Sequence, residues 1–250
     1  MPSQKLQIIK NVGSSWSALA INVVVGFFIS PFIVHHLGDA AFGVWLLIFS
    51  VTGYYGLFDL GIRSSIIRYV SKYTATDDRE KLTQFVNTAL FSYASIGVVS
   101  MLLTTVLSSS VEHLFKIPPA MHPQARLLLL MVGASVSLSF PLGIFGGMLE
   151  GLQRFYILNW TSIGANLSRA ALIVYFLNRG YGLLTVALIT VTMPVLSSIL
   201  RGIIIFRLCP VPIGLKHVDR ASFRYMANYG STTFIVMIAA RLRLCASPSR

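Results

Sequence analysis

Four arginines stand where an apolar chain has little reason to place charge: Arg63, Arg154, Arg169 and Arg201. Arg169 lies near the middle of the run SIGANLSRAALIVYF. A cation at the centre of a bilayer costs about 2.5–3.5 kcal/mol on insertion scales, so it must face protein or water rather than acyl chains. A guanidinium keeps its charge under burial, and its planar fork matches two oxygens of one phosphate or carboxylate. The chemistry on offer is the binding of an anion within a membrane, with Arg169 the first candidate. Asn166, near Ser162 and Ser168, is placed to hydrate that charge or to bond a ligand's hydroxyls. The structural alternative is a paired arginine, for which Asp59 and Glu150 are the acidic partners. Asp59 and Arg63 are four residues apart, as are Glu150 and Arg154, the helical spacing at which opposite charges meet. For Glu150 and Arg154 a surface pair of about 0.3–0.5 kcal/mol is the simpler account.

Composition decides which solvent these residues meet. Of the 250 residues, 55% are hydrophobic and 11% charged, and the mean hydropathy is +0.73. A soluble domain carries about 25% charged residues, and this chain lacks the polar shell needed to hide its apolar surface in water. The net charge of +12 then reads as a topology signal facing anionic headgroups of membrane lipids. No RNP motif, zinc finger or basic zipper accompanies it, so nucleic acid is not an expected partner. Cys209 and Cys245 lie in no metal-binding spacing, and His35, His36, His113, His122 and His217 form no cluster in sequence. No metal or cofactor is expected. The N-terminal apolar stretch is longer than a signal-peptide core and lacks an Ala-x-Ala site, so it reads as a retained first helix.

Apolar windows long enough to cross a bilayer fall near 12–34, 42–62, 85–108, 127–149, 157–177 and 183–207. A seventh begins near 225–240. The fold class is therefore all-α, a polytopic membrane bundle. Residues 1–215 form an N-terminal six-helix lobe, and residues 216–250 a cytoplasmic linker and the incomplete first helix of a second lobe. Thirteen lysines and arginines fall in the N-terminal segment and every second connection, against three in the alternating ones. The positive-inside rule then places the N-terminus in the cytoplasm. Pro31, Pro141 and Pro194 each remove a backbone donor within or at the end of an apolar window and favour a kink. Asn11, Gly13 and Ser14 recur as Asn228, Gly230 and Ser231 at the start of the seventh window, which suggests a second, parallel bundle. Asn22 fits an interhelical hydrogen bond of about 0.6 kcal/mol.

The stretch FDLGIRSSIIRYVSKY has two faces at helical spacing. Ile62, Ile66, Tyr69, Val70 and Tyr73 share one; Ser64, Ser65, Arg68, Ser71 and Lys72 share the other. It reads as an amphipathic extension of the second window into the interface, with Arg68 and Lys72 snorkelling to water or phosphate.

The run from Gly43 to Tyr73 resembles the polysaccharide-export and oligosaccharide-flippase family of the multidrug/oligosaccharidyl-lipid/polysaccharide transporter superfamily. Gly43, Val44 and Trp45, then Asp59, Leu60 and Gly61, then Arg68, Tyr69 and Val70 carry the likeness, and Gly151, Gln153, Arg154, Phe155 and Asn159 resemble the family's turn between helices 4 and 5. The resemblance extends over residues 5–244. It implies a multi-pass protein of the bacterial cytoplasmic (inner) membrane, and a polyprenyl-pyrophosphate-linked glycan as substrate. It also implies transport by alternating access between two lobes, with no catalytic residues and no enzyme activity. Relatives of this kind run to twelve or fourteen helices. The ending ARLRLCASPSR therefore reads as truncated or frame-shifted, which leaves a missing second lobe, self-association of two copies, or an inactive fragment as the open cases.

Two other classes compete. A cation-coupled multidrug antiporter needs an ionisable coupling site in the bundle, yet the first window holds no Asp or Glu and the second only Asp59 at its edge. A membrane glycosyltransferase needs an acidic site on a sizeable loop, and TDDREK, with Asp77 and Asp78, is a short solvated connection.

Overall fold

A computed structural model describes residues 4–53, 61–110, 122–226 and 228. Asp59, Glu112, Lys116, Cys245 and most of the seventh apolar window lie outside the described residues. The described chain is helical: α1 (Gln4–Gly53), α2 (Ile62–Ala75), α3 (Arg79–Ser109), α4 (His122–Gly151), α5 (Phe155–Asn178), α6 (Leu183–Leu208) and a 3-10 turn at Leu215–His217. No strand occurs among the described residues. The architecture is an all-α polytopic membrane bundle, as the sequence indicates.

The first two windows are one helix by hydrogen bonding but two arms by geometry. Gly38, at φ 74° and ψ 165°, is non-helical and divides α1. That backbone conformation is in practice open only to glycine. Ile33, before the break, joins a cluster with Ile173, Leu177, Val186 and Ile189, and Phe42 and Trp45, after it, pack on the same cluster. The second arm is described as far as Gly53, and α2 starts afresh after Gly61, whose φ of 75° is left-handed. The amphipathic segment is thus a separate helix, not an extension of its predecessor, because a left-handed residue cannot continue a right-handed helix.

Helices α3 and α4 run antiparallel in close contact. A side chain at Gly97 would stand 2.5 Å from the Ser137 carbonyl oxygen, and one at Gly133 would collide with Thr104. In a bilayer, where burying apolar groups gives little drive, small residues let helices approach and gain dispersion energy. Pro31, Pro141 and Pro194 lie inside α1, α4 and α6. Outward, Phe27, Phe28, Leu102, Val106, Leu196 and Ile203 are exposed in numbers a soluble surface does not tolerate, and suit acyl chains. Helices α1, α3, α4 and α6 are long and apolar enough to cross a membrane. Helix α5, at 24 residues, is long enough but carries Asn159, Ser162, Asn166 and Arg169 along one side.

The starts of α1, α3 and α5 and the ends of α4 and α6 meet at one end of the bundle, with α2 packed across it. Ile62, Ile66, Val70 and Tyr73 of α2 share a core there with Phe85, Ile144, Leu149 and Ile205. Most of the arginines and lysines lie at this end, called the basic end below.

Candidate functional site

Helix α5 runs parallel to α1 and presents a polar stripe at spacings of three and four residues. Three rungs join the two helices. At the basic end, Asn11 donates to the Gln153 carbonyl (2.9 Å) and accepts from the Tyr156 amide (3.2 Å). One turn on, Asn159 donates to Ser14 and Ser15, each at 3.0 Å. Two turns further, Asn166 donates to Asn22. Asn22 thus makes the interhelical bond expected of it, and Asn166, a candidate for substrate, is engaged there. The first rung rests on the α4–α5 turn: Gln153 has φ 56°, its carbonyl also accepts from Gln7 (3.1 Å), and Ser71 of α2 donates to the Gly151 carbonyl (2.7 Å). The stretch Gly151–Asn159 is therefore a junction for α1, α2 and α5.

Arginines occupy the same side of α5 at two depths. Near the basic end, Arg201 of α6 donates from Nε to Thr161 (2.8 Å) and from a terminal nitrogen to Ser162 (2.7 Å). Ser197, one turn earlier on α6, donates to the Thr161 carbonyl at 3.3 Å. Both bonds of Arg201 go to neutral hydroxyls, so it is oriented without being neutralised. Arg63, at the start of α2, pairs with Glu150 at 2.6 Å, its side chain 46% exposed and that of Glu150 13%. Arg63 and Glu150 both lie within electrostatic reach of Arg201. This corrects the expected i,i+4 pairing of Glu150 with Arg154: the chain turns sharply after Gly151, and Arg154 bonds the Tyr156 hydroxyl instead (2.9 Å).

Arg169 lies seven residues beyond Ser162, two turns or about 10 Å deeper along α5. Its Nε is buried and makes no hydrogen bond among the described residues. Glu150, one expected partner, is committed to Arg63, and Asp59, the other, is outside the described residues. Among the described residues Arg169 has no ion pair.

Helix α2 departs from its expected faces at one position. Ser65 is fully buried rather than exposed, and donates to the carbonyls of Gly61 (3.3 Å) and Met226 (3.4 Å). Residue 226 returns the chain to α2, so the helix meets a neighbour on a second side. Arg68 and Lys72 stay on the outer side, over the rings of Tyr69 and Tyr73.

Asn87 and Thr88 were missed as candidates. Both are buried on α3 and grip the segment after α6: Asn87 donates to the Pro212 carbonyl (2.8 Å) and accepts from the Gly214 amide (2.9 Å), while Thr88 accepts from the Asp219 amide (3.0 Å). Their signal in sequence was two polar residues at the start of an apolar window, which reads equally well as a helix end.

The chain is similar to proteins of known class. Residues 8–244 match the polysaccharide biosynthesis protein family, and the chain belongs to that family. It is 24% identical over 154 residues to a putative O-antigen transporter of Shigella flexneri, covering 62% of this chain and 36% of that protein. It is 27% identical over 150 residues to the uncharacterized membrane protein EpsK of Bacillus subtilis, covering 59% of this chain and 29% of that one. The fold is that of a MOP superfamily transporter from Pyrococcus furiosus, with a TM-score of 0.73 at 15% identity over 94% of this chain and 54% of that one. The chain thus spans about a third of the length of the curated relatives and about half of the structural one. It is a multi-pass membrane protein of the polysaccharide biosynthesis protein family, the kind of family that the motifs around Asp59 and Gly151 suggested.

Proposed function

We propose that this protein moves lipid-linked oligosaccharide or polysaccharide repeat units across the bacterial cytoplasmic membrane by alternating access, its N-terminus in the cytoplasm. The observation that carries the reading is the pair of cationic levels along α5. Arg63 and Arg201 stand at the basic end, and Arg169 stands two turns deeper, its buried Nε without a hydrogen bond among the described residues. A pyrophosphate-linked headgroup descending that wall exchanges one guanidinium for the next, while its prenyl tail stays among acyl chains. The Ser162 hydroxyl and the Asn166 carboxamide beside the arginines keep hydrogen-bonding capacity beyond their bonds to Arg201 and Asn22, and suit sugar hydroxyls. Arg154, held by Tyr156 at the α4–α5 turn, lies outside this wall and serves the junction. In this reading residues 1–215 are one lobe and residues 216–250 lead toward a second, supplied by further chain or another copy. The name of the Shigella relative and the family assignment support the substrate class. No step requires covalent chemistry, so the protein works as a carrier rather than an enzyme.

The test is export of surface glycan in the native strain carrying Arg169→Ala or Arg201→Ala in the full-length gene. With protein level and melting temperature retained, export falls at least tenfold. Normal export in both variants removes the role given to the two arginines.

A further inference from the structure

We propose that Glu150 is a built-in stand-in for the substrate's anion: it pairs with Arg63 and is displaced when a diphosphate group arrives. The inference rests on the reading above and adds a residue whose role is competition rather than binding. Three observations carry it. Glu150 meets Arg63 at 2.6 Å, a full charge-assisted bond. The pair is lopsided in exposure, since the arginine is 46% exposed and the carboxylate 13%. A ligand therefore reaches the guanidinium from the open side, while the carboxylate holds it from behind. Finally, the guanidinium stands beside α4, its terminal nitrogen at an ordinary contact distance of 3.8 Å from the position a side chain would take at Gly146.

The charge count agrees. Among the described residues Glu150 is the carboxylate paired with Arg63, and Arg201, near both, bonds hydroxyls. The Glu150 carboxylate engages one of these guanidinium groups directly. A diphosphate, with more oxygens and more charge, satisfies both at once. It outcompetes Glu150, whereas a neutral lipid or a singly charged headgroup does not. Glu150 thereby sets a threshold of charge for entry, a form of selectivity by repulsion.

The experiment measures binding of geranylgeranyl diphosphate and, separately, inorganic pyrophosphate to the purified full-length protein in nanodiscs, with geranylgeraniol as the uncharged control. Glu150→Gln preserves shape and one acceptor oxygen while removing the competing charge. It is expected to bind the prenyl diphosphate about tenfold more tightly than the wild type and to bind a prenyl monophosphate that the wild type refuses. Arg63→Ala and Arg201→Ala weaken binding. Carboxyl footprinting of unmutated protein gives a readout independent of whether variants fold: added diphosphate increases labelling of Glu150. Equal affinity in wild type and Glu150→Gln, or unchanged labelling with ligand bound, overturns the displacement while leaving the arginine site intact. Indifference of binding to both arginines overturns the site itself. Tighter binding of pyrophosphate alone, with no gain from the prenyl chain, assigns the site to a soluble anion and overturns the lipid-linked reading.

Discussion

Asn159 donates to both Ser14 and Ser15 at 3.0 Å, and so fixes the depth at which α1 lies against α5. Trp16 and Trp160, next in sequence to these partners, are both exposed at that depth. Outward tryptophans suit the headgroup level of a bilayer. Arg201, bonded to Thr161 and Ser162, lies close to that level of the bundle, and Arg169 is two turns further along α5.

Replacing Asn159 with leucine removes both bonds and leaves two hydroxyls to find other partners. Interhelical hydrogen bonds of this kind contribute about 0.6 kcal/mol each, so the loss is on the order of 1 kcal/mol. The expected result is a modest fall in melting temperature in detergent, with easier proteolysis of the first arm of α1. A double cycle with Ser14→Ala and Ser15→Ala measures the coupling.

Gly38 tests the bend in α1. Nothing lies within 4 Å of the position a side chain would take, so any penalty for alanine is conformational rather than steric. Strain in this backbone region costs on the order of 1–3 kcal/mol. Gly38→Ala is expected to lower stability by that much, whereas Gly43→Ala, helical and equally open, raises it slightly. Thermal unfolding of the two variants side by side checks the contrast.

Asn87→Leu should free the segment after α6. The change leaves the Gly214 amide and the Pro212 carbonyl without their side-chain partner; because Pro212 is exposed and Gly214 half-buried, water offsets part of the loss, which falls at the low end of the roughly 1–3 kcal/mol for an unsatisfied group. Hydrogen exchange at residues 211–219 is expected to accelerate while the spans stay protected. Uniform loss of protection would show Asn87 holding the bundle itself.

How much of this was legible depends on range. The spans and the all-α class followed from runs of about 20 apolar residues, which encode burial in lipid locally. The Asp59 and Gly151 motifs indicated the family because they are contiguous in sequence. Two ends of a pairing could not be read. Glu150 has Arg154 at the right helical spacing, and only the turn after Gly151, with Gln153 at positive φ, gives the carboxylate to Arg63 of another helix. The exposed assignment of Ser65 failed for a similar reason: periodicity on one helix does not know that residue 226 returns to cover a second side. Asn22 was read correctly because an uncharged polar residue in a span has few alternatives to an interhelical bond.

Asp219 makes the attachment of the chain after α6 acid-sensitive. Its carboxylate accepts from the Ser222 amide at 2.8 Å, and chiefly this bond holds it below the ordinary aspartate value. A depressed carboxyl stabilises the fold at all pH values above its unfolded value, about 3.9, and the contribution is lost as pH falls through the lower, folded value. Proteolysis near residues 219–226 is expected to be flat from neutral pH down to the usual aspartate range and to rise only below it. Asp219→Asn removes the dependence. A rise beginning near pH 6 in the wild type points to a different group.

Arg169 should show stability and function moving in opposite directions. A buried guanidinium nitrogen without a partner carries a desolvation cost that no bond offsets, on the order of 1–3 kcal/mol for an unsatisfied buried donor. Arg169→Leu removes that cost and fills the space with apolar atoms, so the melting temperature is expected to hold or rise. A purely structural arginine gives the reverse, since breaking an ion pair or a network destabilises. Glycan export by the same variant is expected to fall to background, because the deeper of the two cationic levels is gone. Arg169→Lys separates charge from shape: a lysine keeps the charge as a single point without the bidentate fork, so export is partial. A stabilised variant with normal export would assign Arg169 to neither role.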